Sequence, residues 1–235
     1  MTINTKTLAA IDIGTNAIRL FISNVEEYPT ETLFKKIAFL RVPIRLGEDV
    51  FTTGEIGQQK RKRLCETMQG FSYIMSAFNV ESYKAYATCA MREARNGKSV
   101  AEQIQKECDL NIEIISGTKE AETIFAGGMN EVVDDDKTYL YVDVGGGSTE
   151  VIVYSKSVKV EACSFPLGTV RMLNDAMDKE EMKHFKKWLK NITEKYTPDA
   201  IIGSGGNINK IHKLLNKKER ERITYQELDI LYEYM

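Results

Sequence analysis

The sequence predicts an α/β protein containing two related halves, and three observations predict it. A strand, turn, strand pattern occurs twice: Leu8 to Val25 reads LAAIDIGTNAIRLFISNV and Tyr139 to Tyr154 reads YLYVDVGGGSTEVIVY, placing Asp12 on Asp143, Gly14 on Gly145 and Leu20-Phe21-Ile22 on Val151-Ile152-Val153. Short apolar runs alternate with stretches of helical period through the rest of the chain. Its 235 residues can bury the core of one large domain or of two smaller ones.

In each copy an apolar run ends in a carboxylate, a glycine-containing turn follows, and a second apolar run leads away, which is the composition of a hairpin. Glycine lets the backbone approach an anion closely, so the amides of Gly145, Gly146 and Gly147, helped by the hydroxyls of Ser148 and Thr149, can form a nest for phosphate oxygens. A carboxylate beside such a nest makes sense when a divalent cation separates the like charges. Asp12 and Asp143 are therefore expected to serve Mg²⁺ or another divalent ion, in a cleft clamped from both sides.

The elements follow in order. Glu31 to Ile44 reads as a third extended run, with Phe34, Ile37, Phe39 and Val42. Gly54 to Phe78 changes to helical spacing, with Leu64, Met68, Phe71, Met75 and Phe78 on one face. The run Lys60-Arg61-Lys62-Arg63 on that helix could touch a polyanion, although such clusters are more often solvated. Ser82 to Cys89 is a strand that turns into a helix, with Arg92 and Arg95 at the junction. An Arg beyond a strand end can reach a phosphate, and Arg92 is read as such a contact; the alternative is a pair with Glu93 or another surface acid.

A helix around Val100 to Cys108 and a strand at Asn111 to Ile115 come next. Ser116 or Thr118 can cap the helix that follows, which carries Ala121, Ile124, Phe125 and Val132 on one side. Glu120 in its first turn suits the helix dipole or, alternatively, a general base. Asp134-Asp135-Asp136 reads as a solvated turn.

After the second hairpin, Ser157 to Phe165 is a strand and Leu167 to Met172 turns into a short helix. Lys179 to Tyr196 is amphipathic, with Met182, Phe185, Trp188, Leu189 and Ile192 inward. His184 and His212 lack telling partners and read as structural or surface residues. Ala200 to Asn207 is a strand running into a Gly turn at Gly205, an anion-site pattern, before a helix with Ile208, Ile211, Leu214 and Leu215. Lys217 to Arg222 is a charged linker. Tyr225 to Met235 begins a helix that has no C-cap, as in a truncated or docked terminus.

Composition sets limits. Lys and Arg total 32 against 34 Asp and Glu, a net charge of −2, so no overall basic field points to a nucleic acid duplex. The four cysteines are scattered without metal-ligand spacing and read as reduced thiols. No signal peptide and no apolar run of membrane-spanning length is legible, so no membrane partner and a cytoplasmic location are expected.

Six motifs, in order, resemble one family: DIGTNAIR (Asp12 to Arg19), ATCAMREARN (Ala87 to Asn96), IISGTKEA (Ile114 to Ala121), DVGGGSTE (Asp143 to Glu150), LGTVRM (Leu167 to Met172) and IGSGGNI (Ile202 to Ile208). They look like the motif set of the exopolyphosphatase / guanosine pentaphosphate phosphatase family, of the actin, hexokinase and heat-shock ATPase superfamily. The resemblance implies two ribonuclease-H-like α/β domains with mixed sheets, residues 1–117 and 118–235, flanking a central phosphate-binding cleft, the second domain truncated at its C-terminus.

It also implies Mg²⁺-dependent hydrolysis of terminal phosphoanhydrides of polyphosphate or guanosine pentaphosphate, and it allows a homodimer. Gly14, Thr15, Asn16 and Arg19 of the first turn, Gly145 to Thr149 of the second, Gly205 and Arg92 would grip phosphate. Glu120 would activate water, and Asp143 and Glu150 would serve metal and water positioning beside Asp12. Alternatives are a phosphotransferase of the same superfamily and a non-catalytic polyphosphate or alarmone sensor. Ala17 stands where the family usually has Ser, Lys119 where an acid commonly precedes the base, and Asn207 where Thr is common, so a lost hydroxyl at 17 would weaken phosphate binding or go with a different substrate.

Overall fold

The computed structural model describes residues 4–126, 134, 136–156, 158–218 and 221–234. The chain divides into two compact units, Met1–Glu120 with Thr169–Asp178, and Ala121–Gly168 with Lys179–Met235.

The first unit is built on a mixed five-stranded sheet. Strands β1 (Asn4–Ile13), β2 (Ile18–Glu27) and β3 (Thr32–Val42) form an antiparallel meander, while β4 (Ser82–Ala87) runs parallel to β1 and β5 (Glu113–Ile114) parallel to β4, in the order β3-β2-β1-β4-β5. Alternation explains the packing. Ile18, Leu20 and Ile22 of β2 are buried while Arg19 and Phe21 between them are part-exposed, the period of a strand with one face in the core. That core joins Ile11 and Ile13 to Leu64, Met68 and Phe71 of α2 (Gln58–Ala77) and to Val100 and Ile104 of α4 (Gly97–Cys108). Phe78, expected on the inner face of α2, lies just past its end and is 42% exposed.

A helix that the sequence did not suggest, α1 (Leu46–Thr53), precedes α2. Gly47 and the adjoining Thr52-Thr53 are weak helix formers, but buried Leu46, Gly47 and Val50 dock it on the core. Helices α3 (Cys89–Glu93) and α5 (Gly117–Ala126) follow β4 and β5. Ser116 accepts from the Lys119 amide at 3.1 Å, the expected cap of α5.

The second unit holds a mixed four-stranded sheet in the order β8-β7-β6-β9. Strands β6 (Thr138–Val144), β7 (Thr149–Ser155) and β8 (Val158–Phe165) are antiparallel, and β9 (Ala200–Ser204) is parallel to β6. The short helix α6 (Thr169–Leu173) belongs to the first unit although its sequence interrupts the second. On α7 (Lys179–Tyr196) Ile192 is fully buried, and the half-buried Phe185 and Trp188 meet buried Phe165 edge to face, at centroid distances of 4.9 and 5.4 Å. The apolar face expected of α8 (Gly205–Leu214) has no fully buried residue, and Leu214 is 46% exposed. The last helix is α9 (Tyr225–Tyr234).

The side chain of Phe125, all of Val132, Asp135 and Ser157, and Met235 lie outside the described residues. No helix is long and apolar enough to cross a membrane among the described residues.

The two sheets share a detail beyond strand order. The register shifts between Ile22 and Ser23 where β2 meets β3, and between Val153 and Tyr154 where β7 meets β8. The 131-residue offset that carries Asp12 onto Asp143 also carries Ile22 onto Val153. Each bulge leaves one residue of the outer strand without a register partner, Ile37 in β3 and Val160 in β8.

Candidate functional site

In the first turn, the Gly14 amide donates to the Ala17 carbonyl at 3.2 Å, and the Thr15 and Asn16 carbonyls accept from the Gly47 and Arg45 amides at 3.0 Å each. Asn16 is exposed, Thr15 is buried, and Ala17 is 1% exposed. A hydroxyl at position 17 would thus enter the core, which explains Ala there without reference to a ligand. Asp12 and Arg19 face each other across the hairpin and form an ion pair. The atoms packed around the strand end push the Asp12 carboxyl above its usual pKa, and Arg19 offsets part of that. Even so, the side chain keeps 43% exposure, enough to meet a ligand.

The second turn closes in the same way, the Gly145 amide donating to the Ser148 carbonyl at 2.9 Å. Asp143 and Glu150 are register partners across β6 and β7, the places held by Asp12 and Arg19 in the first hairpin. Glu150 is 2% exposed and accepts from the Ser164 hydroxyl at 2.8 Å. Ser148 and Thr149 are buried, and the Thr149 hydroxyl donates to the Leu167 carbonyl at 2.6 Å. What this turn offers an anion is therefore chiefly its backbone.

Gly205 lies beside Asp143. Its φ is +90°, a conformation that favours glycine, and a Cβ there would fall 2.5 Å from Asp143 Oδ1, which would have to turn aside. Asn207 donates from Nδ2 to the Val144 carbonyl at 2.7 Å, tying α8 to the end of β6; an amide that reaches this carbonyl accounts for its presence there.

Arg92 and Glu120 meet. Arg92 Nη1 donates to the Ile115 carbonyl at 2.8 Å and to Glu120 Oε2 at 3.3 Å, their side chains 26% and 16% exposed. The parallel pairing of β4 with β5 brings both to one end of the first sheet. Arg95 is instead spent on structure, donating to the Thr53 carbonyl at 2.9 Å. Glu93 does not take Arg92 as its partner. It receives Arg171 of α6 on both carboxylate oxygens, at 2.7 and 2.8 Å, while the Arg171 guanidinium stacks 4.2 Å over Phe51. Burial and the nearby Glu93 push the neighbouring Cys89 thiol up to about 12, so this cysteine is no nucleophile at neutral pH.

Sequence reasoning missed the Glu93–Arg171 pair and the Ser164–Glu150 bond. The alternation of β7 and β8 contains the second, provided the bulge is counted.

Residues 22–235 match the Ppx/GppA phosphatase family. The chain belongs to this family. Among relatives of this Ppx/GppA chain, Exopolyphosphatase 2 of Mycobacterium tuberculosis is 28% identical over 170 residues, covering 70% of this chain and 53% of that protein. The guanosine-5'-triphosphate,3'-diphosphate pyrophosphatase of Aeromonas hydrophila is 24% identical, covering 97% and 48%. The Ppx/GppA chain thus spans about half the length of both relatives. The crystal structure of an exopolyphosphatase from Cytophaga hutchinsonii superposes with a TM-score of 0.79 at 25% identity, covering 94% of this chain and 74% of that one. The mixed α/β fold with two mixed sheets agrees with the fold class expected from the sequence.

Proposed function

We propose that this chain hydrolyses terminal phosphoanhydride bonds of inorganic polyphosphate, guanosine pentaphosphate or both, releasing orthophosphate with the help of a divalent cation. The Arg92–Glu120 pair carries the reading, because it sets a cation for phosphate beside a carboxylate able to take a proton from water. Two turns closed by the same amide-to-carbonyl bond, each following an Asp, support it as phosphate-binding backbone. The names of the relatives point to the same two substrates.

The oxygen donors fit Mg²⁺. Asp143 and Glu150 are carboxylates in register, flanked in the same row by the hydroxyls of Ser164 and Ser204. Among the described residues no group of three or more His, Cys, Asp or Glu could hold a metal, and Mg²⁺ is commonly held by one or two carboxylates with phosphate and water completing its shell. When bound, the ion would neutralise charge on the phosphoryl oxygens.

The protein supplies the remaining steps. Arg92, anchored on the Ile115 carbonyl, binds the terminal phosphate, and Glu120 Oε accepts a proton as water attacks phosphorus in line. The anhydride oxygen departs on the shortened chain.

A phosphate-release assay tests this with long-chain polyphosphate, guanosine pentaphosphate and ATP, each with Mg²⁺ and with EDTA. Release from either of the first two, abolished by EDTA, is expected. Glu120→Gln should lower turnover by about 10²- to 10⁴-fold while substrate still binds; wild-type turnover in that variant removes Glu120 from the chemistry.

A further inference from the structure

A groove with a volume of about 690 Å³ runs between α2 and α4 on the first unit, within the size range of small-molecule sites. Its lining changes character in order along α2. Tyr73, 69% exposed, stands at one end with Gln69 a turn away, Glu66 and Glu107 occupy the middle, and Lys62 and Arg61 the other end. From Arg61 to Tyr73 the helix rises ~18 Å at its usual pitch.

Two observations indicate that something is received here. Arg61 Nε is a buried side-chain nitrogen with no hydrogen-bond partner among the described residues, and a buried donor left unmatched is costly. Gly70 lines the groove in mid-helix, where glycine weakens a helix, and a Cβ there would meet nothing within 4 Å. No packing constraint asks for glycine at this position. Its effect is to keep the groove open.

The basic run that includes Arg61 divides in two. Lys60 is held by Glu48 at 3.0 Å and Asp49 at 2.8 Å, and Arg63 donates to the Pro43 carbonyl at 3.3 Å. Arg61 and Lys62 are the two that line the groove, and the exposed Lys62–Glu66 contact, at 3.9 Å, is weak enough to exchange for a ligand. The floor stays neutral: burial and Glu107 push the Cys65 thiol up to about 11, and Cys108 donates to the Cys65 carbonyl at 3.6 Å.

An aromatic platform, then carboxylates, then cations is the order of base, sugar and phosphates. We propose that this groove binds a nucleoside di- or triphosphate, with the base stacked on Tyr73 and its polar edge at Gln69, ribose hydroxyls donating to Glu66 or Glu107, and phosphates at Lys62 and Arg61. Nε is shielded from solvent, so the Arg61 side chain turns for it to reach a phosphate oxygen. The groove shares no lining residue with the Arg92–Glu120 pair or with either turn, and its existence does not depend on the hydrolytic reading.

Calorimetric titration of the full chain with ATP, GTP and tripolyphosphate, all in EDTA, tests the assignment. ATP or GTP should bind more tightly than tripolyphosphate. Gly70→Gln, a better helix former that fills open space, should abolish the nucleotide's advantage while circular dichroism and phosphate release from polyphosphate stay as in the wild type. Tyr73→Ala should weaken nucleotide binding by about tenfold, the scale of one base stacked on an aromatic ring, and Arg61→Gln should weaken it as well. Tripolyphosphate binding as tightly as ATP and GTP, or nucleotide binding unchanged in Gly70→Gln, overturns the proposal. So does a wild-type chain that binds neither nucleotide.

Discussion

At the turn end of the first sheet, the residues in register across β3, β2, β1 and β4 are Arg41, Arg19, Asp12 and Tyr86; the corresponding row across β8, β7, β6 and β9 is Ser164, Glu150, Asp143 and Ser204. The backbone around these rows is alike to the turn-closing bond and the position of the bulge. The charges differ. The first row sets Arg41 and Arg19 against Asp12 and, next to Tyr86 on β5, Glu113, whereas the second gathers two carboxylates and two hydroxyls with no basic residue in the row. On the function proposed above, one scaffold would serve two tasks, with the side chain facing the Asp deciding whether a row suits an anion or a cation.

The sharpest way to break this comparison is to neutralise the residue facing each Asp. Glu150→Gln should raise the Mg²⁺ concentration needed for half-maximal phosphate release by about 10- to 100-fold, whereas Arg19→Gln should raise KM and leave the Mg²⁺ requirement alone. Equal Mg²⁺ shifts in both variants would erase the distinction.

A smaller effect is expected from Gly205→Ala, which forces a side chain into φ +90° against Asp143. The strain should cost about 1–3 kcal/mol, read as a lowered Tm. Gly206→Ala, where a Cβ meets nothing within 4 Å, should melt close to the wild type.

Ala17→Ser comes next. A hydroxyl buried at this position should cost about 1 kcal/mol or somewhat more without improving KM; a tighter KM would show that the hydroxyl reaches substrate after all.

The smallest effect is a titration. The folded state raises the Asp12 pKa above the unfolded value near 3.8, so this group favours folding below that value, and the contribution is lost as pH rises through the folded pKa. Arg19→Gln removes the opposing cation and should move the carboxyl further up in an NMR titration, extending the window to higher pH. Movement downward would contradict burial as its cause.

Both hairpins were legible because an Asp-x-Gly turn between alternating runs is a local signal. Long-range meetings were not. Arg92 and Glu120 lie 28 residues apart and meet through parallel strand pairing, and Arg171 reaches Glu93 across 78 residues. Glu150 shows the more instructive failure. Counting back from the Ser155↔Val158 pair places Cys163 opposite it; the bulge shifts the register by one and brings Ser164 there, changing a thiol for a hydroxyl. Helix α1 escaped because local propensity opposes it and only packing secures it.

The unpaired Ile37 and Val160 have an effect at the margins of the molecule. Both sit on outermost strands, and β3 also presents Phe34 and Phe39, 69% and 55% exposed. A long, flat, greasy rim of that kind invites a neighbouring molecule's backbone to add on, the first step toward fibrils. A bulge bends the strand that carries it, so an incoming strand along either rim would lose matching partners partway along.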